Sequence, residues 1–216
     1  MKTKISLIIL SSVILFNIYT PFSVSASEIE NSNTSLAYSN EVVTENDRFI
    51  RIEDDKGITI IDKYLLNNVY NENDSENEPK IMSRMANYKV KDKKYLGQYV
   101  DYNKALKTIS GNSGVELNLG YSKSVEASVS TTFGVSKSDI SDEVGFNVST
   151  SYTVSNSGTY TVPSNVRRAT LTAHPLYDKY EYGIYLRGKL GQPDVKMKTG
   201  YALKPIGIHY EKKLIR

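Results

Sequence analysis

The chain of 216 residues contains no cysteine and no tryptophan. The absence of cysteine excludes disulfides, thiol nucleophiles, thiolate metal sites and an acylated lipoprotein cysteine. The two histidines, His174 and His209, fall in different predicted strands, and no His-Glu-x-x-His, Gly-rich phosphate loop or Gly-x-Ser-x-Gly motif occurs. We therefore expect no enzyme, no catalytic residue, no metal and no cofactor. Carboxylates that converge from distant segments, as in glycosidases, are the remaining catalytic alternative.

Long apolar runs are also scarce, and the one present is N-terminal. Lys2 and Lys4 precede an apolar run over residues 5–18, and the small-residue sequence Val24-Ser25-Ala26 follows. This order predicts a secretory signal over residues 1–26, cleaved after Ala26. No later run reaches the roughly 20 residues that a membrane-spanning helix needs. We expect a secreted, extracellular protein, and export without disulfides is common in Gram-positive bacteria.

Charge is distributed unevenly after residue 26. Residues 27–80 hold 13 acidic and 5 basic side chains, whereas residues 81–216 hold 11 acidic and 20 basic ones. One interpretation is a disordered acidic leader beside a basic domain; another is an acidic pro-region that masks a basic surface until it is removed. Residues 71–79 lack large apolar side chains and are predicted to form a linker, and Lys80 or Arg84 would suit a trypsin-like protease.

The remaining pattern predicts a mainly β protein. Residues 27–46 are polar and predicted to be disordered. The segment after them should form two short strands, over 49–52 and 58–61, and a helix over 62–70, which together make a short N-terminal α/β segment. Further strands are predicted over 88–102, 166–173, 180–187 and 207–212, with a helical turn at 103–109. We expect the domain over 81–216 to form an elongated antiparallel sheet or sandwich.

The most regular pattern is a period-2 alternation over residues 115–162. Odd positions are mostly apolar from Val115 to Val135, and even positions from Val144 to Val162, with Lys123 as the main departure. The intervening positions are largely Ser, Thr, Asn and Gly, so each strand has one apolar and one polar face. The pattern predicts a hairpin of two strands of roughly 20 residues, well beyond the usual 3 to 10. Its candidate membrane-facing residues are Val115, Leu117, Leu119, Val125, Val129, Phe133, Val135, Val144, Phe146, Val148, Tyr152 and Val154.

Tyrosine is used far more often than phenylalanine, 17 times against 5. Tyr177, Tyr180, Tyr182 and Tyr185 are concentrated in one segment, and such amphipathic rings suit membrane interfaces and sugar-binding platforms. The alternative is that tyrosine simply favours strands. Because the lysines are scattered, we expect no nucleic-acid partner.

A family resemblance rests on the Ser/Thr-rich alternation, the sequence Thr159-Tyr160-Thr161-Val162-Pro163 and the strand over 166–173. Over roughly residues 95–190 the chain resembles the aerolysin-type β-pore-forming proteins, especially the epsilon-toxin and mosquitocidal-toxin branch. The resemblance implies a toxin secreted as a soluble monomer, proteolytic activation and oligomerisation into a β-barrel pore to which 115–162 contributes a hairpin. Membrane lipid or a cell-surface receptor, and further copies of the chain, would then be the partners. Residues 174–177 and 200–209 also resemble small uncharacterised secreted Gram-positive proteins.

Two functions therefore stay open at the level of sequence. The first is an aerolysin-like protein that associates with membranes through the hairpin. The second is a non-lytic secreted β-sandwich that binds cell wall, glycan or another protein through its tyrosines. They differ in whether the long strands leave the folded sheet.

Overall fold

The computed structural model describes residues 36–38, 41–67 and 87–216, which form thirteen strands and two helices. In chain order these are β1 Leu36–Tyr38, β2 Glu41–Glu45, β3 Phe49–Glu53, β4 Gly57–Asp62, α1 Lys63–Asn67, β5 Tyr88–Val100, β6 Lys107–Asn112, β7 Glu116–Asn118, β8 Tyr121–Glu126, β9 Ser128–Val129, α2 Lys137–Val144, β10 Ser151–Asn156, β11 Thr159–Thr161, β12 Arg168–Leu186 and β13 Val195–Ile215. The protein is mainly β, as predicted.

Two long strands, β12 and β13, form the centre of a large antiparallel sheet. They pair from Arg168 opposite Ile215 to Leu186 opposite Val195, with two register shifts. On the far side of β12, first β6 and then β5 continue the sheet. On the far side of β13, β4 pairs along one half and the short β9 along the other, and β3, β2 and β1 follow β4 outward.

The period-2 segments of the sequence form a separate hairpin. Leu117 lies opposite Tyr160 in the β7–β11 pair, and Val125 lies opposite Tyr152 in the β8–β10 pair. Both pairs keep the same register, and the bond from Leu119 N to the Gly158 carbonyl oxygen (2.9 Å) bridges the interval between them. Main-chain bonds extend this ladder from Val115 to Ala127 on one strand and from Thr150 to Val162 on the other. The predicted hairpin is therefore present, with strands shorter than predicted.

A helix, and not a tight turn, joins the two sides of the hairpin. α2 begins after Ser136, whose side-chain oxygen accepts from the Asp139 N–H while the Asp139 carboxylate accepts from the Ser136 N–H. This reciprocal arrangement is a capping box, and it satisfies N–H groups that have no partner within the helix. Gly145 ends the helix with φ of 80°, the left-handed conformation that glycine adopts most easily.

The apolar face of the hairpin packs on the large sheet. Leu117, Leu119 and Val154 share one buried cluster with Leu171 of β12 and Tyr210 of β13. A second cluster lies beneath α2, and a third lies around Leu176 and Ile206 on the other side of the sheet. The predicted alternation therefore specifies a core face in this fold.

Several element boundaries differ from the predictions. The strands expected over 166–173 and 180–187 are one strand, because Pro175 lies where β12 changes its neighbour from β6 to β5 and so interrupts neither ladder. The helical turn expected at 103–109 was wrong, since β6 begins at Lys107 and pairs with β12. Disorder up to residue 46 was also wrong in part, because β2 pairs with β3.

The acidic N-terminal segment is built into the sheet. Five residues of β4 pair with β13, and Ile58, Ile60 and Leu65 are buried in the main core. The described residues of this segment and those of 87–216 belong to one compact unit. The signal sequence, the linker over 71–79 and the cleavage candidates Ala26, Lys80 and Arg84 lie outside the described residues.

Candidate functional site

The candidate membrane-facing residues divide into three groups. Leu117, Leu119, Val125 and Val154 are buried between the hairpin and the sheet. Val144, Phe146 and Val148 are buried around the tip helix, with Val129, Val135 and Tyr152 partly buried against them. Val115 and Phe133 are exposed, at 44% and 41% of their surface. Most of the apolar face is thus hidden from solvent.

The outer face of the hairpin is polar and exposed. Ser122 and Ser155 lie directly opposite each other, with their hydroxyl oxygens 3.1 Å apart. Ser124 and Thr153 form the next outward pair. Lys123 departs from the apolar pattern, and its side chain is exposed although it lies opposite the fully buried Val154. The hairpin therefore has the two-faced character that its sequence predicted.

The hairpin is attached to the large sheet mainly by side chains. Among the described strands, β7, β8, β10 and β11 pair only with one another, and main-chain pairing to the sheet is confined to β9 and its continuation at Ser130. Elsewhere Lys107 Nζ donates to the Gly120 carbonyl oxygen (2.9 Å) and an Arg51 N–H donates to the Thr159 carbonyl oxygen (2.9 Å). The Tyr210 hydroxyl donates to the Leu119 carbonyl oxygen inside the core.

The four tyrosines proposed as a platform do not share one exposed surface. Tyr177 and Tyr182 are buried, and burial raises the pKa of Tyr177 to about 12. Tyr180 is half-buried, in ring contact with Tyr95 and Phe146. Tyr185 lies on an open part of the sheet, where its hydroxyl donates to Asp92. The strand pattern alone could not show which side of β12 would be covered.

A different set of side chains forms an open surface on the side that carries Tyr185. Residues directly opposite each other on neighbouring strands lie on the same side of a sheet. By register, Tyr185 lies between Lys89 and Lys196, and Glu181 lies between Lys94 and Tyr201. We call this surface the lysine–tyrosine face; its members are Lys89, Lys91, Lys94 and Tyr99 of β5, Lys179 and Tyr185 of β12, and Lys196 and Tyr201 of β13.

Lysine ammonium groups lie over tyrosine rings throughout this face. Lys179 Nζ is 4.6 Å from the ring centre of Tyr201 and 5.3 Å from that of Tyr99. Lys91 and Lys196 approach the Tyr185 ring at 5.5 and 6.0 Å. A ring attracts a cation over its face, so these contacts hold the ammonium groups in place without neutralising them. Few of these pairs are near in sequence, which is why sequence analysis missed them.

Three acidic residues moderate the charge of the lysine–tyrosine face: Glu181 lies on it, Asp92 accepts from Tyr185, and Asp194 pairs with two of its lysines. Asp194 accepts hydrogen bonds from the ammonium groups of Lys89 and Lys91, which hold the pKa of its carboxyl group well below the ordinary value. The Asp194 carboxylate in turn raises the pKa of Lys91. Two of the five lysines of the face, Lys89 and Lys91, are therefore already paired with Asp194.

The two histidines, which fall in different strands as predicted, lie side by side. His174 of β12 is directly opposite His209 of β13, and the ring of Tyr102 contacts both, at 5.3 and 5.8 Å between centres. Thr59 Oγ1 is 2.9 Å from His209 Nδ1, and burial lowers the pKa of His209. Within the described residues, no group of three or more metal-ligating side chains is placed to hold a metal ion.

Among the residues that the structure describes, no helix combines the length and apolar composition needed to cross a membrane. A comparison with models of known protein families and with curated proteins found no match to this chain.

Proposed function

We propose that this protein is a secreted, membrane-associating protein whose 115–162 hairpin leaves the sheet at a membrane and pairs between copies to line a pore. The observation that carries the proposal is the self-contained ladder of the hairpin. Because β7, β8, β10 and β11 bond to one another, the hairpin could move away as a unit without breaking the ladders of β12 or β13 beyond β9. A membrane-spanning strand also requires one apolar and one polar face.

The burial of the apolar face sets a condition on this movement. Seven hairpin side chains are buried in the main core, namely Leu117, Leu119, Tyr121, Val125, Val154, Tyr160 and Val162. At about 1.5 to 3 kcal/mol for each large apolar side chain, exposing them to water is unfavourable by roughly 10 to 20 kcal/mol. Whole domains are stable by only about 5 to 15 kcal/mol. The hairpin therefore stays packed in water, and a lipid or protein surface must replace the sheet as its partner.

Two disulfide staples test this proposal directly, since the natural chain has no competing thiol. Ser128→Cys with Leu203→Cys joins residues that are opposite each other on β9 and β13, and so locks the hairpin to the sheet. Ser122→Cys with Ser155→Cys joins the two strands of the hairpin to each other and leaves the hairpin able to move away from the sheet. The second pair is the matched control.

The readout is dye release from liposomes, before and after reduction. The staple to the sheet should abolish release, and a reducing agent should restore it, whereas the staple within the hairpin should leave release largely intact. Full release by the oxidised 128–203 variant would contradict the proposal. Absence of release and of oligomers with the wild-type protein on vesicles of mixed lipid composition would also count against it.

The deep packing of the hairpin supports the second candidate function. If the hairpin never leaves the sheet, the protein is a non-lytic β protein that binds cell wall, glycan or another protein through an exposed face. The two staples would then have the same effect on binding. Pull-down with purified cell wall and with glycans is the corresponding measurement.

A further inference from the structure

We infer that the lysine–tyrosine face is a docking surface for the phosphate headgroups of an anionic lipid bilayer. The inference rests on the proposed membrane association and names its lipid class and its contact surface. It does not depend on movement of the hairpin, since the face belongs to β5, β12 and β13.

The charge of this end of the sheet favours an anionic partner. Residues 88–100 and 179–198 contain nine basic and three acidic side chains. Residues 41–67, which build β2 to β4 and α1, contain seven acidic and four basic ones. An anionic surface attracts the first region and repels the second, so the molecule should approach with this end of the sheet forward.

The exposed rings of the face suit the boundary between lipid and water. Tyr99 and Tyr201 expose 36% and 37% of their surface, and Met197 of the same strand as Tyr201 is also exposed. Tyrosine places its ring at headgroup depth with its hydroxyl towards water. Lys179 Nζ lies over both rings, so the two rings hold this ammonium group at the surface where headgroup phosphates would meet it.

The shape of the face indicates an extended partner. Two depressions in the described part of the chain, of about 660 and 550 Å³, are lined by other residues, including Tyr160 and Lys212 in one and Tyr64 in the other. The face itself is one side of a three-stranded part of the sheet, with its cations spread over β5, β12 and β13. A surface of many headgroups matches this spacing better than one small anion does.

The test compares two double substitutions of equal charge. Lys179→Gln with Lys196→Gln removes two cations from the lysine–tyrosine face. Lys93→Gln with Lys198→Gln removes two cations from the opposite side of the same sheet region, where they lie over Tyr180 and Phe133. Both pairs lose contacts to rings, so they differ chiefly in the side of the sheet that they affect.

Binding is measured by co-sedimentation with vesicles of phosphatidylcholine alone and with one-third phosphatidylglycerol. A lysine near an anionic membrane contributes about 1 kcal/mol, so the 179/196 variant should bind the anionic vesicles about tenfold or more weakly than wild type. The 93/198 variant should lose no more than about threefold. Raising the ionic strength from about 0.1 M to 1 M shortens the screening length from about 10 to 3 Å and should weaken wild-type binding.

The disulfide-stapled 128–203 protein separates this inference from the proposed function. It should still bind anionic vesicles while releasing no dye. Wild-type dye release with equal binding to neutral and anionic vesicles would overturn the inference and leave the pore proposal standing. Equal losses in the two lysine variants would also overturn it, because net charge and not this face would then govern binding. Unfolding midpoints close to wild type establish that each variant is folded.

Discussion

At the scale of single residues, His209 joins three strands. Its ring is next to His174 of β12, its Nδ1 faces the Thr59 hydroxyl of β4, and Tyr102 packs over it. Burial lowers the pKa of His209, opposed by the charges of Asp54 and Glu211. The histidine therefore accepts a proton less readily in the folded protein than in the unfolded chain.

We expect the free energy of unfolding to fall as the pH drops below about 6.5. In that range the unfolded state binds more protons than the folded state, and protons then favour unfolding. His209→Gln should flatten this part of the pH dependence, measured by urea unfolding between about pH 5 and pH 7.5. The difference between the two slopes is the readout, because the carboxyl groups that contribute at the lower end of this range are the same in both proteins. Identical slopes would show that His209 does not contribute.

The tyrosines show which properties of single residues the sequence could predict and which it could not. Their enrichment was correctly noted, but which of them are exposed depends on what covers each side of β12. α2 and its neighbours cover the side that carries Tyr182, while the side that carries Tyr185 is open. The contacts of Lys179 with Tyr99 and Tyr201 depend on strand pairing, which period-2 patterns do not specify.

At the scale of elements, the tip of the hairpin depends on one capping residue. Ser136→Ala removes the side-chain acceptor for the Asp139 N–H and should lower the free energy of unfolding by about 1 kcal/mol. Lys137→Ala, at the neighbouring exposed position, is the control and should have little effect. Chemical denaturation of both variants gives the comparison. An unchanged stability in the serine variant would mean that α2 is held by the packing of Ile140 and Val144 alone.

Some helices and strands were predicted correctly from the sequence, and others were missed. The alternation correctly predicted a hairpin and its buried face, because period 2 is a local property. The tip helix was missed although Ser136 and Asp139 have capping-box spacing, because the prediction for this segment followed the period-2 pattern of the strands on either side. The strands predicted over 166–173 and 180–187 are the single strand β12, which continues through Pro175 because β12 changes its neighbour from β6 to β5 there.

At the scale of the whole molecule, the acidic segment and the basic region fold together. We expect that cutting the chain within 71–79, by a sequence-specific protease whose site is inserted there, leaves the two pieces associated. β4 pairs with β13, and Ile58, Ile60 and Leu65 are buried among residues of the later segment. Size-exclusion chromatography of the cut protein should show one species in buffer and two in denaturant. Separation in buffer would instead support the removable pro-region that the charge pattern suggested.

The position of β12 and β13 in the chain has a consequence for how the fold is reached. β4 to β6 and β9 all pair with these two strands, and β3 to β1 attach through β4. β4 therefore cannot pair with β13 until that strand is made: Ile61 pairs with Gly207 and Gly57 with Glu211, roughly 150 residues later in the chain. During synthesis the earlier strands lack the central strands with which they pair. The large sheet should assemble late, once β12 and β13 have formed a hairpin across the short connection over 187–194.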